Sequence, residues 1–320
     1  MRLDTHVHTQ HSGNTSIPPL RRVMRESYNT PERVYDVARA RGMQLVAITD
    51  HDEISGALSL AGHSDVIVGC EVTGVFPEDG VRVHLNVFGL EPGQHRTIQR
   101  LRHDIRTLLP FLQQQGLFTS LNHVASGING PLTAAHVAAI LPWIDALEVR
   151  NGSRLEVQNR TAECLALASG KAMLGGSDSH TERGIGLTWT EVPGARTVAE
   201  FFEGLRQGAG VVGGQHGSQR TMASDILRFA ASLYREQTVE MLRRPLSVRT
   251  PAMLGAAVMA LPLLGTALAT GVLHFVHEQR FNRGLLFDLV SRPYVPVSTM
   301  AGMAELAAMA ERVEVAEVAA

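Results

Sequence analysis

This chain of 320 residues contains few cysteines and lysines and has a net charge close to zero. Cys70 and Cys164 are the only two cysteines, which excludes a disulfide framework and favours a reducing compartment. The formal net charge of -2 gives no overall attraction to nucleic acid or to an anionic membrane. Lys171 is the sole lysine, and we interpret this as a composition bias without mechanistic meaning.

Several sequence patterns are absent as well. No glycine-rich dinucleotide fingerprint follows the first predicted strand, which argues against an open nucleotide-binding sheet. The run 176–180, Gly-Ser-Asp-Ser-His, lacks the Gly-x-Ser-x-Gly pattern of serine hydrolases. Met1 leads into charged and polar residues without the apolar core of a signal peptide. We therefore expect the catalytic part of the chain in the cytoplasm.

An alternation of strands and helices occupies the chain up to about residue 215. Short apolar or β-branched runs alternate with helical patterns, which is typical of repeated βα units. The predicted strands are Leu3–His8, Leu45–Thr49, Val66–Glu71, Val81–Val87, Phe118–Asn122, Ala146–Val149 and Met173–Gly175. The predicted helices are 30–41, 94–115, 133–140, 154–169 and 198–207.

Polar or ionisable residues stand at the ends of these predicted strands: His8, Asp50 with His51, Glu71, His84, His123, Glu148 and Asp178. In a barrel of parallel strands the carboxyl ends meet on one face, where active sites are built. His6 and His8 additionally project from the same face of their strand, because successive side chains alternate. Both imidazoles could reach one metal ion, although two surface histidines would give the same pattern.

The ordered set of motifs resembles that of the polymerase and histidinol phosphatase (PHP) family. The motifs are Asp4-Thr-His-Val-His8, Thr49-Asp-His-Asp52, Gly69-Cys-Glu71, the isolated His84 and His123, and Gly176-Ser-Asp-Ser-His180. They extend over roughly two thirds of the chain. The resemblance implies an α/β fold, a distorted (β/α)7 TIM-like barrel with a C-terminal helical appendage, and a metal-dependent hydrolase.

The resemblance also implies two or three divalent metal ions, of zinc, manganese or iron. Carried over to this sequence, the first ion would be held by His6, His8, Glu71 and Asp178. The second would be held by Glu71, His84 and His123, so that Glu71 bridges the pair, and the third by His51 and His180. Mixed imidazole and carboxylate ligands suit several divalent metals, so the sequence leaves the identity of the metal open.

The third metal site departs from the family pattern. Asn14 stands where family members often carry a histidine or aspartate ligand, and a neutral amide oxygen is a weak ligand for such ions. His11 is either a substitute ligand or a solvated loop residue.

Three further residues are candidates for catalysis. Asp50 and Asp52 flank His51, and either one accepts the second ring N–H of that ligand or caps the helix that begins near Glu53. Arg183 follows His180 by three residues and is a candidate for binding phosphate, because a guanidinium group matches phosphate oxygens in a bidentate fork. A solvated loop arginine is the alternative.

The βα pattern stops near residue 217, so we predict a barrel over 1–217 and a helical region over 218–320. Asp225–Arg244 is predicted as a basic amphipathic helix, and the apolar segment 251–276 carries no formal charge. Its length would allow a membrane span, with the arginines before it keeping the barrel cytoplasmic. Pro262 and three glycines interrupt it, so a soluble helical appendage fits equally well.

The function predicted from the sequence is phosphoesterase chemistry through a metal-activated water, on phosphomonoesters, nucleotides or short oligonucleotides. The expected partner is therefore a small phosphorylated substrate. Two alternatives remain open at this stage. The same site could hydrolyse C–N or C–O bonds of carbamates and amides, or the chain could be a non-catalytic module that keeps its metal for structure.

Overall fold

The structure is a computed structural model that describes residues 1–15, 24–127, 130, 132–243, 273, 275–291 and 304–310. Its strands are β1 Arg2–Leu3, β2 Val46–Ile48, β3 Val66–Val75, β4 Arg82–Phe88, β5 Phe118–Leu121, β6 Ala146–Asn151, β7 Ala172–Gly176, β8 Thr188–Glu191 and β9 Val211–Gly214. Its helices are α1 Pro31–Ala40, α2 Ser55–Leu58, α3 Pro92–Leu101, α4 Ile105–Gln114, α5 Ala134–Ile140, α6 Glu156–Ser169, α7 Val198–Arg206 and α8 Gln219–Arg243, followed by α9 over 275–291.

The main sheet is a nearly closed barrel. Six strands pair in the order β2-β3-β4-β5-β6-β7. The extended segment 5–8 closes the gap between the two ends of this sheet. Thr49 N donates to Val7 O (2.9 Å), while His8 N donates to Ser179 O (3.1 Å) on the other side. The predicted α/β barrel-like fold is confirmed, and the two metal-motif histidines lie on the segment that closes it.

Strand direction differs from the predicted parallel arrangement. β4 runs antiparallel to both β3 and β5, so the count of seven βα units is not confirmed. The cause is a tight turn after β3: Phe76 N donates to Val81 O (2.8 Å), and Gly80 adopts φ 73°, a left-handed conformation that glycine tolerates without steric cost. Alternation of apolar residues identifies a strand but not its direction.

Helix ends follow local capping. Thr30 caps α1 through Arg33 N and Pro31 occupies the first turn, which confirms the predicted start of that helix. The single helix predicted over 94–115 is wrong, because the chain forms α3 and α4 instead. Asp104 takes an extended conformation between them and accepts a hydrogen bond from Arg106 N, so it ends one helix and caps the next.

Part of the C-terminal region packs on the barrel. Leu285 and Leu289 of α9 belong to the same hydrophobic core as residues of β3, β4 and β5. Most of the apolar segment 251–276 lies outside the described residues. Within the part of the chain that is described, no helix is long and apolar enough to span a membrane. The boundary between 217 and 218 stays a prediction.

The packing of α9 leads to a stability prediction. Leu289 is 1% exposed, whereas Phe287 on the same helix is 66% exposed. Leu289→Ala should lower the free energy of unfolding by about 2–5 kcal/mol, because it leaves a cavity in the core. Phe287→Ala should change it by less than about 0.5 kcal/mol. Urea unfolding measures both, and equal effects of the two substitutions would contradict the placement of α9.

Candidate metal centre

The first and last motifs are joined at the barrel seam. The buried Asp4 carboxylate accepts hydrogen bonds from Ser177 N (2.8 Å) and Gly186 N (2.7 Å). Burial raises the pKa of Asp4 to about 6 although these hydrogen bonds oppose the shift. Gly176 lies against His6, and a Cβ built on it would stand 2.5 Å from His6 Cβ. Glycine at this position therefore allows the two motifs to come together.

Glu71 lies at the centre of a cluster of imidazoles. Its Oε2 atom is 3.1 Å from His51 Nδ1, 3.2 Å from His6 Nε2 and 3.3 Å from His8 Nε2. Its Oε1 atom faces the other side, 3.1 Å from His123 Nε2 and 3.3 Å from His84 Nδ1. The two oxygens of one carboxylate thus face two sets of nitrogen donors.

Asp178 completes the wall of the cluster. Its Oδ1 atom is 3.6 Å from His6 Nε2 and 3.5 Å from His8 Nε2. Its Oδ2 atom accepts hydrogen bonds from Asn151 Nδ2 (3.1 Å) and Arg154 Nη2 (3.2 Å). Asp178 and His123 have φ of 50° and 29°, a region that costs free energy for residues other than glycine and is concentrated at functional sites.

The second ring nitrogens of His6 and His8 bind acceptors outside the cluster. His6 Nδ1 lies 2.8 Å from Glu148 Oε1, and His8 Nδ1 lies 3.1 Å from Ser12 Oγ, which donates to Asp50 Oδ1. With Nδ1 as the donor in each ring, both Nε2 atoms present lone pairs to the cluster. Such outer hydrogen bonds orient metal-ligating histidines.

The donor set fits divalent metal ions. His6 Nε2 and His8 Nε2 are 3.0 Å apart, a separation at which two lone pairs repel each other unless a proton or a cation lies between them. Glu71 Oε2 is buried and lacks a hydrogen-bond partner among the described residues. Four overlapping groups of three donors have ligand atoms within 4.8 Å of one another.

The pKa shifts likewise indicate that the carboxylates of the cluster favour a positive charge beside them. Burial lowers the pKa of His6, but the charges of Glu71, Glu148 and Asp178 outweigh it and raise this pKa well above its usual range. Burial also opposes ionisation of Glu71, yet the surrounding histidines hold its pKa well below the usual range. A divalent cation would supply the positive charge that the carboxylates favour at this position.

The structure brings together all eight predicted metal ligands: His6, His8, His51, Glu71, His84, His123, Asp178 and His180. The sets of three donors differ from the predicted assignment: His8 joins His51 and His180, His51 joins Glu71 and His84, and His123 joins His6 and Asp178. The assignment of each ligand to a particular ion stays a prediction.

The predicted catalytic residues lie around the cluster and not inside it. Asp50 binds Thr9 N (2.6 Å) and Ser12 Oγ and so acts on His8, not on His51. Asp52 binds Thr73 N (2.8 Å) and pairs with Arg102 (3.0 Å), away from the imidazoles. Helix α2 has Ile54 at its N-cap without a side-chain hydrogen bond, so the capping interpretation is wrong for both aspartates.

The loop residues Arg183, His11 and Asn14 lie outside the cluster of predicted metal ligands. Arg183 lines a cleft with Asp178 and His180 and lies 3.9 Å from Asp225. His11 binds Ser55 Oγ (2.8 Å), and it belongs to none of the metal-ligating groups found among the described residues. Asn14 is exposed. The described structure therefore does not place His11 or Asn14 as a ligand of the predicted third site.

Sequence reasoning placed Glu148 at the expected site without giving it a role, and it missed the supporting residues Ser12 and Arg154. Glu148 stands at a strand end, which was a usable signal, but its partner His6 is 142 positions away. Arg154 follows a turn after β6 and carries no sequence pattern of its own. Their contacts with the predicted ligands depend on how the closed barrel brings these segments together.

Comparisons with known proteins match parts of the chain. The family model described as PHP-associated matches residues 156–209. Uncharacterized protein MJ1587 of Methanocaldococcus jannaschii is 31% identical over 77 residues, which are 22% of this chain and 44% of that protein. The chain therefore spans less than half the length of the curated relative that it matches.

Two solved structures match parts of the chain. PsfC from Pseudomonas syringae PB-5123 has a TM-score of 0.50 at 17% identity, covering 72% of this chain and 98% of that one. A candidate metal-dependent phosphoesterase from Bifidobacterium adolescentis ATCC 15703 has a TM-score of 0.43 at 18% identity, covering 56% and 88%.

The barrel and its cluster define a protein with a centre suited to divalent metals. The PHP-associated match over 156–209 covers α6, β7 and α7, and the ordered motifs converge at the end of the same barrel. The match to the PHP-associated family model and the motifs that resemble those of the PHP family thus lie in one barrel.

The outer hydrogen bond of His6 provides a test of the centre. Glu148→Gln should lower metal affinity by about 10–100-fold, as is usual for outer-shell partners of a ligating histidine. Glu156→Gln, on the exposed start of α6, is the matched control and should leave affinity unchanged. Titration of metal-free protein with Zn²⁺ or Mn²⁺ measures the change, and equal affinities in the two variants would contradict the role of Glu148.

Proposed function

We propose that this protein is a metal-dependent hydrolase that cleaves phosphate esters, with phosphomonoesters, nucleotides or short oligonucleotides as substrates. The observation that carries this proposal is the position of Glu71. Its two oxygens face two separate sets of imidazoles, at 3.1–3.3 Å on each side. A carboxylate in this position can be shared by two cations.

Bound divalent ions would activate a water molecule and offset the charge on the attacking and leaving oxygens of the ester. Residues of the chain would hold the predicted metal ligands in position. Glu148 and Ser12 orient His6 and His8, while Asn151 and Arg154 hold the outer oxygen of Asp178. The ligands are thereby positioned before substrate binds, which lowers the reorganisation that the reaction requires.

The cleft beside the cluster supports phosphate as the recognised group. Serine and threonine residues line it together with one arginine and two of the predicted ligands: Ser153, Ser177, Asp178, Ser179, His180, Thr181, Arg183, Thr188 and Thr221. The hydroxyl groups of these residues donate to oxygens of the protein, so the guanidinium group of Arg183 is the donor that suits the oxygens of a phosphate. Asp225 lies beside Arg183 and restrains its side chain at the mouth of the cleft.

Hydrolysis of a C–N or C–O bond on the same centre is the second candidate reaction, because the metal ligands alone do not select phosphorus. The guanidinium group in the cleft favours phosphate over a neutral amide or carbamate. A non-catalytic module is the third possibility, and it is separated from both by turnover.

Hydrolysis of p-nitrophenyl phosphate and bis(p-nitrophenyl) phosphate by the metal-loaded protein tests the proposal. His8→Ala and Asp178→Ala should each reduce kcat/KM by at least about 100-fold, since even outer-shell partners are worth 10–100-fold. His103→Ala, at an exposed position, is the control. Turnover of p-nitrophenyl acetate alone would favour carbon chemistry, and stoichiometric metal without any turnover would favour the non-catalytic module.

Binding of phosphate by Arg183 leads to a separate prediction. Arg183→Ala should raise KM for a phosphomonoester by about 10–100-fold, because a hydrogen bond to a charged group contributes about 1.5–3 kcal/mol. Arg220→Ala, exposed at the start of α8, should leave KM unchanged. Steady-state kinetics with both variants decides the matter, and an unchanged KM in Arg183→Ala would assign that side chain to its ion pair with Asp225 only.

A further inference from the structure

The loop after the first histidine pair brings a carboxylate to His180. Glu26 N donates to Gly13 O (2.9 Å), and Thr15 N donates to Met24 O (3.1 Å). Asn14 and Arg25 form an antiparallel bridge between these hydrogen bonds. The chain therefore folds back on itself, so that Glu26 lies beside the segment in which the sequence shows a ligand to be missing.

The Glu26 side chain faces the cluster. Its Oε1 atom is 3.8 Å from His180 Nε2, and only 26% of the side chain is exposed. Among the described residues, only the His180 imidazole lies within 4 Å of this carboxylate as a possible ion-pair partner, and burial lowers the pKa of His180 to about 3, so it does not balance the negative charge. A largely buried carboxylate with so little compensation is costly unless a cation accompanies it.

The charge of the third site supports the same conclusion. His8, His51 and His180 present ligand atoms within 4.8 Å of one another, but three imidazoles add no negative charge to balance a dication. Glu71 Oε2 lies 3.1 Å from His51 Nδ1, and Asp178 Oδ1 lies 3.8 Å from His180 Nδ1. Both carboxylates also contact His6 and His8, so their charge is shared with the other ligand groups. Glu26 would add the carboxylate that a mixed imidazole and oxygen site for zinc, iron or manganese commonly contains.

We propose that Glu26 is a ligand of a third divalent cation held together with His51 and His180, in place of the ligand that Asn14 does not provide. The proposal rests on the metal-binding part of the proposed function and is independent of phosphate-ester hydrolysis. Asn14 is exposed and its backbone pairs with Arg25, so its side chain is not required.

Helix α8 contacts both segments that carry this site. Arg25 Nε donates to Glu236 Oε1 (2.9 Å) next to Glu26, and Thr181 Oγ1 donates to Asp225 Oδ1 (2.9 Å) next to His180. One helix thus holds the two protein segments in register. Glu26 reaches His180 through the folded loop and these contacts with α8, which explains why its position has no counterpart in the spacing of the sequence motifs.

The metal content of the full-length protein tests the proposal. The chain is stripped of metal, reloaded with Mn²⁺ or Zn²⁺, desalted and measured by inductively coupled plasma mass spectrometry. The wild type should retain about three ions and Glu26→Gln about two, because the substitution removes the charge of one ligand and keeps its size. Glu32→Gln, exposed on the first turn of α1, is the control and should retain the wild-type content.

The possible outcomes test the role of Glu26 separately from the metal centre and the proposed function. His180→Ala should lose the same ion as Glu26→Gln, and the double variant should lose no further ion. Equal metal content in wild type and Glu26→Gln overturns the role of Glu26 while the metal centre and the proposed function stand. A wild type that retains no metal overturns the metal centre as well. Circular dichroism and the melting temperature of the metal-free variants establish that each protein is folded.

Discussion

The structure depends on one buried carboxylate among imidazoles. Glu71 has only 1% of its side chain exposed and contacts five histidines within 3.3 Å. Glu71 Oε1 accepts a hydrogen bond from Asn122 Nδ2, whereas the buried Oε2 has no hydrogen-bond partner among the described residues. A cation bound by the surrounding imidazole nitrogens would balance the charge of this oxygen. The surrounding protein is arranged to hold these groups at short range against their mutual repulsion, and this requirement accounts for the closed seam, the outer hydrogen bonds and the left-handed backbone at two of the ligands.

The seam of the barrel helps to hold these groups in place. Segment 5–8 is hydrogen-bonded on both sides, to residues after β2 and to residues after β7. Two buried side chains also bind the backbone of this segment: Asn86 Nδ2 donates to Thr5 O (3.0 Å), and Asn29 Nδ2 donates to His8 O (3.1 Å). The histidine pair is therefore positioned by rigid backbone, which is a condition for a preorganised metal centre.

The sequence predicted what depends on local spacing. His6 and His8 lie on one face of an extended segment, and Glu71, His123 and Asp178 follow strand by strand, so their convergence could be predicted once a barrel was assumed. The reversal of β4 could not be predicted, because the turn at 76–81 sets the direction of the strand while its apolar alternation stays the same. Glu26 was also missed: its contact with His180 joins positions 154 apart through a fold-back that no periodic pattern announces.

The C-terminal helix α9 links this centre to a part of the chain that carries no family motif. Glu278 Oε2 accepts hydrogen bonds from Ser126 Oγ (2.7 Å) and Gln158 Nε2 (2.6 Å). Ser126 N in turn donates to His123 O (2.9 Å), which closes the turn in which His123 has its left-handed conformation. Since a strained conformation persists only where neighbouring contacts enforce it, α9 supports a predicted metal ligand as well as the hydrophobic core. The barrel of this chain thus includes residues far beyond its last strand.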